Sequence, residues 1–184
     1  MRQLLGGLLV GAVFGVVFVL VNAHAPLSSA VGVPLSVLAC VALAAVVAIF
    51  VFLLRKGIDV PADTRPTMFG RNYRLVVAGE IVLLVAGFVV FRAVDAPAET
   101  GVAWIAFVVG LHFVPFAVMW EQRRMLIPGI ALMLLGAAGL AMVATSAVAW
   151  TPFVSGVLSG VVLLGGSVTF AAREYLALTR RQSA

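Results

Sequence analysis

Two ionisable side chains lie deep inside apolar runs of this 184-residue chain, Glu80 and His112. A carboxyl and an imidazole within hydrogen-bond range can share a proton, pair as ions or hold the polar end of a ligand. Inside a bilayer each is costly alone, so each demands a partner. Pro115 adds a third group. Proline has no N–H, so the carbonyl four residues earlier, that of Leu111, loses its helical donor. A freed acceptor then stands beside His112, and a kink is expected there. Glu80, His112, Leu111 and Pro115 are therefore the candidate ligand-binding residues.

Other familiar chemistries find no residue set. His24 is placed roughly half a bilayer thickness from His112. Two separated histidines and a single cysteine exclude a bis-histidine haem and a Cys/His zinc site, so no metal and no cofactor are expected. Cys40 cannot form a disulfide within the chain and reads as a small packing residue. Asp59 and Asp63 sit among arginines and read as their solvated partners. Ser167, after Gly165 and Gly166, invites comparison with a serine–histidine dyad. Its expected depth differs from that of His112 by about 5 Å at 1.5 Å per residue. No oxyanion-hole signature accompanies it, so no catalytic residue is assigned.

The elements that position Glu80 and His112 follow from composition. Hydrophobic residues make up 64% of the chain and charged residues 10%, with mean hydropathy +1.21. A soluble chain is about 45–50% apolar and about 25% charged. Too little polar surface exists to cover a water-soluble body, so the chain reads as an all-α, polytopic membrane helix bundle. Six apolar segments qualify as spans: 4–21, 31–54, 73–91, 102–120, 127–143 and 150–172. The first reads as an anchored helix rather than a cleaved leader, since its apolar stretch is too long for a signal core and Pro26 would follow a cut at the small-x-small site Ala23-His24-Ala25. No soluble domain is expected. The polar stretch Arg55–Asn72 is short and broken by Pro61 and Pro66, and the tail Thr179–Ala184 is expected to fray.

Basic residues set the orientation. Eleven of the 12 Lys and Arg residues fall at one face and only Arg92 at the other, which places both termini in the cytoplasm. The aromatic residues give the same topology. Trp104 and Trp150 open spans at the outer face, while Tyr73, Trp120 and Tyr175 lie at the inner one. The net charge of +5 then points to anionic headgroups at the cytoplasmic loops and not to nucleic acid.

The spans read as three hairpins that leave and return to the cytoplasm. Ala25-Pro26, Ala96-Pro97 and Thr151-Pro152 stand before or at the start of the return helices, and Arg55-Lys56, Arg123-Arg124 and Arg180-Arg181 follow them. Triplication and the ordinary needs of any hairpin both account for this. Gly7, Gly11 and Gly15 form a double G-x-x-x-G, and Gly156 and Gly160 form another beside Ser155 and Ser159. Such glycines let helices approach closely, within one chain or between copies in a homo-oligomer. Spans three and four are consecutive and antiparallel. Glu80 lies about 9 Å above Arg74 and His112 about 13 Å above Glu121 at 1.5 Å per residue, so the two can meet directly or through one water.

The stretch Val108–Ala117, with Gly110-Leu111-His112-Phe113 and Pro115, resembles a motif of small, functionally uncharacterised bacterial multi-helix membrane proteins. That resemblance implies a bacterial cytoplasmic membrane and no particular activity. Six helices with both ends cytoplasmic are similar in architecture to the Insig family, whose bacterial relatives bind lipids in a membrane pocket. Trp150-Thr151-Pro152, Gly165-Gly166, Thr169 and Arg173 are loosely similar to the last Insig helix, with a different spacing between the proline and the glycine pair. The HdeD-type acid-resistance proteins share the three-hairpin layout. Fold does not fix function.

Three function classes follow. The scarcity of polar lining favours a non-catalytic membrane protein that binds a lipid, another apolar ligand or partner helices within the bundle. A proton-linked small-solute carrier using Glu80 and His112 is the alternative, though a polar solute needs more lining than two deep groups. An intramembrane enzyme is third, for want of a nucleophile or metal set.

Overall fold

The structure is a computed structural model that describes residues 2–24, 26–55 and 70–182. It is helical throughout, with no strand among the described residues. Six α-helices follow in order: α1 (Arg2–Asn22), α2 (Ser29–Arg55), α3 (Arg71–Ala93), α4 (Thr100–Met119), α5 (Leu126–Val143) and α6 (Leu158–Gln182). Short 3-10 turns, Arg123–Met125 and Val148–Trp150, precede the last two, and a π-helical segment, Pro152–Val157, leads into α6. Among the described residues five helical stretches are long and apolar enough to cross a membrane, and α1 adds the apolar run Gly6–Asn22. These features fit a multi-pass membrane protein.

Each expected span falls on a helix, with edges moved by a few residues. The largest departure is at the C-terminal end, where the expected frayed tail is helical to Gln182. Leu, Ala and Arg are strong helix formers, so α6 continues past its apolar part. α4 runs through Pro115 as one helix, which a neighbour-packed membrane helix tolerates. Cys40, expected to pack, is exposed on α2. One side of that helix faces away from the bundle, along Val37, Leu38 and Val41. The loop with Asp59, Asp63, Pro61 and Pro66 lies outside the described residues.

The helices pack as two groups. In one, α1 contacts α2 and α6, burying Ala12, Val16, Val19, Ala39, Val46 and Leu164. In the other, among the described residues, α4 makes the most extensive contact with α5, and α3 packs chiefly on α4. Phe18 of α1 and Leu163 of α6 join Ala106, Val109 and Leu132 in a second buried cluster that ties the groups together. So the tightest contacts are not all within hairpins: α1 lies along α6, the helix farthest from it in sequence.

Glycine sets both tight contacts. A Cβ on Gly110 would stand 2.5 Å from the Met133 backbone nitrogen, and one on Gly136 would stand 2.5 Å from that of Phe107. Gly129, Leu132, Gly136 and Gly139 form a buried stripe along α5. On the other side, a Cβ on Gly160 would meet the Gly15 carbonyl at 2.6 Å, and one on Gly15 would meet Leu164 Cγ at 2.8 Å. In lipid no hydrophobic drive brings helices together, so close backbone approach supplies the dispersion that holds them.

Candidate functional site

The α3–α4 seam carries the candidate site. The helices run antiparallel, and paired residues rise on one as they fall on the other. At one end the Tyr73 ring stacks on Phe116 and Trp120, at 5.4 and 6.5 Å between centroids. In the middle Glu80 meets His112. At the other end Trp104 lies over Gly87, where any side chain would overlap the indole. The Trp104 indole N–H donates to the Leu83 carbonyl at 3.1 Å.

Glu80 Oε1 and His112 Nδ1 are 2.9 Å apart, a direct hydrogen bond that needs no bridging water. The side chains are 15% and 21% exposed respectively, so the pair is partly open and not sealed in the core. Glu80 has no second hydrogen-bond partner among the described residues. The imidazole is held between Phe113 and Phe116, with centroids 4.8 and 4.9 Å away. Phe116 in turn stacks on Trp120 at 4.5 Å. The indole N–H of Trp120 is buried with no acceptor among the described residues.

Depth is the second fact about the pair. α3 spans Arg71–Ala93, so Glu80 lies two residues, about 3 Å, from its midpoint at 1.5 Å per residue. His112 is about 4 Å from the midpoint of α4 on the same scale. Both lie on the same side of centre. The pair is therefore near the middle of two helices that are each long and apolar enough to cross a membrane; ionisable groups so placed in a spanning helix usually serve a pathway or a ligand.

The remaining candidates separate from this site. Leu111 and Pro115 belong to the same stretch of α4 and are half-buried. His24 is exposed at the other end of the molecule, on a shallow cleft of about 410 Å³ between the ends of α1 and α2. Ser167 donates to the Leu8 carbonyl of α1 at 3.2 Å, which gives its hydroxyl a helix-packing role and removes the dyad reading. No group of three metal-ligating side chains forms among the described residues.

Sequence reasoning missed a second polar feature. Thr151, Ser155 and Ser159 follow one another at four-residue spacing and are all fully buried. Ser155 donates to the Leu135 carbonyl at 2.8 Å, its oxygen occupying the space left by Gly139. The hydroxyls of Thr151, Ser159 and Thr100 have no partner among the described residues. The spacing was visible in the sequence, but burial of that face was not. The aromatic ladder was likewise legible only as interface markers.

No protein-family model matches the chain, and no curated protein or solved structure matches it. The site therefore stands on its own geometry.

Proposed function

We propose that this chain is a non-catalytic integral protein of the cytoplasmic membrane that binds an apolar ligand with a small polar group at the α3–α4 seam. The observation that carries the reading is the Glu80–His112 bond, partly open and near mid-helix, among aromatic side chains. Ligand sites are commonly apolar walls with a few placed polar groups, and this seam has that make-up. A strongly hydrated solute would find too few partners there to replace its water.

The proposed topology has six spans, α1 included, with both ends cytoplasmic. A cysteine introduced in the Pro61–Pro66 stretch should be labelled only from the cytoplasmic side; labelling from outside intact cells would reverse the orientation. The basic loops would meet anionic headgroups. Gly11, Gly15, Gly156 and Gly160 pack within the chain, whereas Gly7 has open space around it. Self-association through the α1 motif is therefore left to Gly7.

The test is direct. Organic extraction of the purified protein should yield a co-purifying lipid-like molecule. His112→Leu should lower its yield without unfolding the protein. Protein that retains its fold but carries no extractable molecule would defeat the reading. The proton-linked carrier keeps one specific support, a titratable pair near mid-membrane. Proton flux driven by a solute gradient in liposomes, abolished by Glu80→Gln, would establish it instead.

A further inference from the structure

From the charge arithmetic of the pair we infer that the seam takes a lipophilic organic cation, which binds Glu80 in place of a proton; this rests on the α3–α4 seam being the ligand site. Three observations converge. Glu80 is partly exposed and shares one hydrogen bond only among the described residues, which leaves its second oxygen without a partner there. The side chains beside the pair are aromatic: Phe113 and Phe116 flank the imidazole, and Tyr73 and Trp120 continue the stack. Ring faces carry negative potential, which attracts cations and repels anions. Finally, the pair lies near mid-helix, too deep for a bulky hydrated headgroup. A cation whose charge is wrapped in apolar substituents enters that depth at the least cost.

Net charge at that depth is expensive, so the site stays neutral. Without ligand, neutrality requires one proton on the pair, whether drawn as carboxylate with imidazolium or as carboxyl with imidazole. With a monovalent cation bound, neutrality requires carboxylate and neutral imidazole. Binding therefore expels that one proton to solvent, and no bond other than the one to hydrogen breaks. Among the described residues of α3, α4 and α5, no other group beside the pair can supply the proton. His112 is the only titratable side chain of α4, and α5 has none. On α3 the nearest ionisable groups are Arg74 and Tyr73, almost two turns toward its N-terminal end.

The probe is tetraphenylphosphonium, with neutral triphenylphosphine oxide and anionic laurate as comparisons. Calorimetric titration of the full chain in detergent, repeated in buffers of different ionisation enthalpy, counts the protons. The phosphonium should bind with release of about one proton. Glu80→Gln should weaken it by about tenfold or more and remove the proton release. Glu80→Asp, which keeps the charge, should retain the release, so that a misfolded Gln variant is not mistaken for support. Equal binding of the neutral oxide, without proton release, would overturn the cation assignment and leave an apolar-ligand site. Preferential binding of laurate would overturn it too. Binding of none of the three would remove both readings.

Discussion

The α4–α5 contact and the α3–α4 contact share a helix and differ in kind. Against α5, glycines bring backbone onto backbone. Gly110 faces the Gly129 carbonyl, and Gly136 faces that of Ala103, each with 2.7 Å between the carbonyl and an added Cβ. Against α3, the contact is made by rings, one indole hydrogen bond and the Glu80–His112 bond. Side chains hold the second interface where backbones hold the first. Rings can turn and a hydrogen bond can exchange partners, but a backbone cannot retreat without moving its helix. The comparison teaches where change is tolerated: α4–α5 is scaffold, and α3 is the element held by side chains that can yield. α3 is correspondingly the least buried of the long apolar helices.

The largest expected effect falls on the scaffold. Gly136→Val would drive its side chain into the backbone at Phe107 and Ala103. Overpacking of this kind costs about 3 kcal/mol or more where backbone is the obstacle. The variant should lose its thermal transition or aggregate in detergent; a wild-type melting profile would show that the backbones are not in contact.

Next comes the polar bond of the seam. Glu80→Gln and His112→Ala should each destabilise, and the double variant should fall short of their sum. The coupling energy should be about 1–2 kcal/mol, because removing one partner strands the other. Strict additivity would mean that the two groups act separately in the folded protein.

The ring contacts should be milder. Gly87→Ala meets the Trp104 indole, a side chain that can shift, so a loss of about 1 kcal/mol is expected. The same change in a Trp104→Phe background should be nearly neutral, since the smaller ring frees the space. If Gly87→Ala costs as much as the Gly136 variant, the contrast between the two interfaces fails.

The smallest effect is expected at Gly7. No atom lies within 4 Å of an added Cβ there, so Gly7→Ala should stay within about 0.5 kcal/mol of the parent. Gly15→Ala, one motif step on, should cost more, since its added carbon meets Leu164 and the Gly160 carbonyl. A large loss at Gly7 would point to a second copy of the chain seated on that face.

The sequence by itself determined the helices, because an apolar run long enough to cross a bilayer can satisfy its backbone only within a helix or a closed barrel. It also determined that Glu80 and His112 could meet. Consecutive antiparallel helices share a depth scale, and two costly groups at one depth have a strong reason to pair. What only the tertiary structure decided is which face each helix turns to which neighbour. All faces are similarly apolar in these helices, so composition around the helix carries no direction. Hence the glycines of α1 were visible as a motif, but their partner on α6, at the far end of the chain, was not. Gly129, Gly136 and Gly139, spaced by seven and three, matched no motif and yet lie buried on α5, which shares the most extensive helix contact with α4. The exposure of Cys40, the burial of Thr151 and Ser159, and the fit of Trp104 over Gly87 were hidden for the same reason. In lipid, helix orientation is chosen by shape and by scattered hydrogen bonds, and those belong to pairs of helices rather than to any one segment.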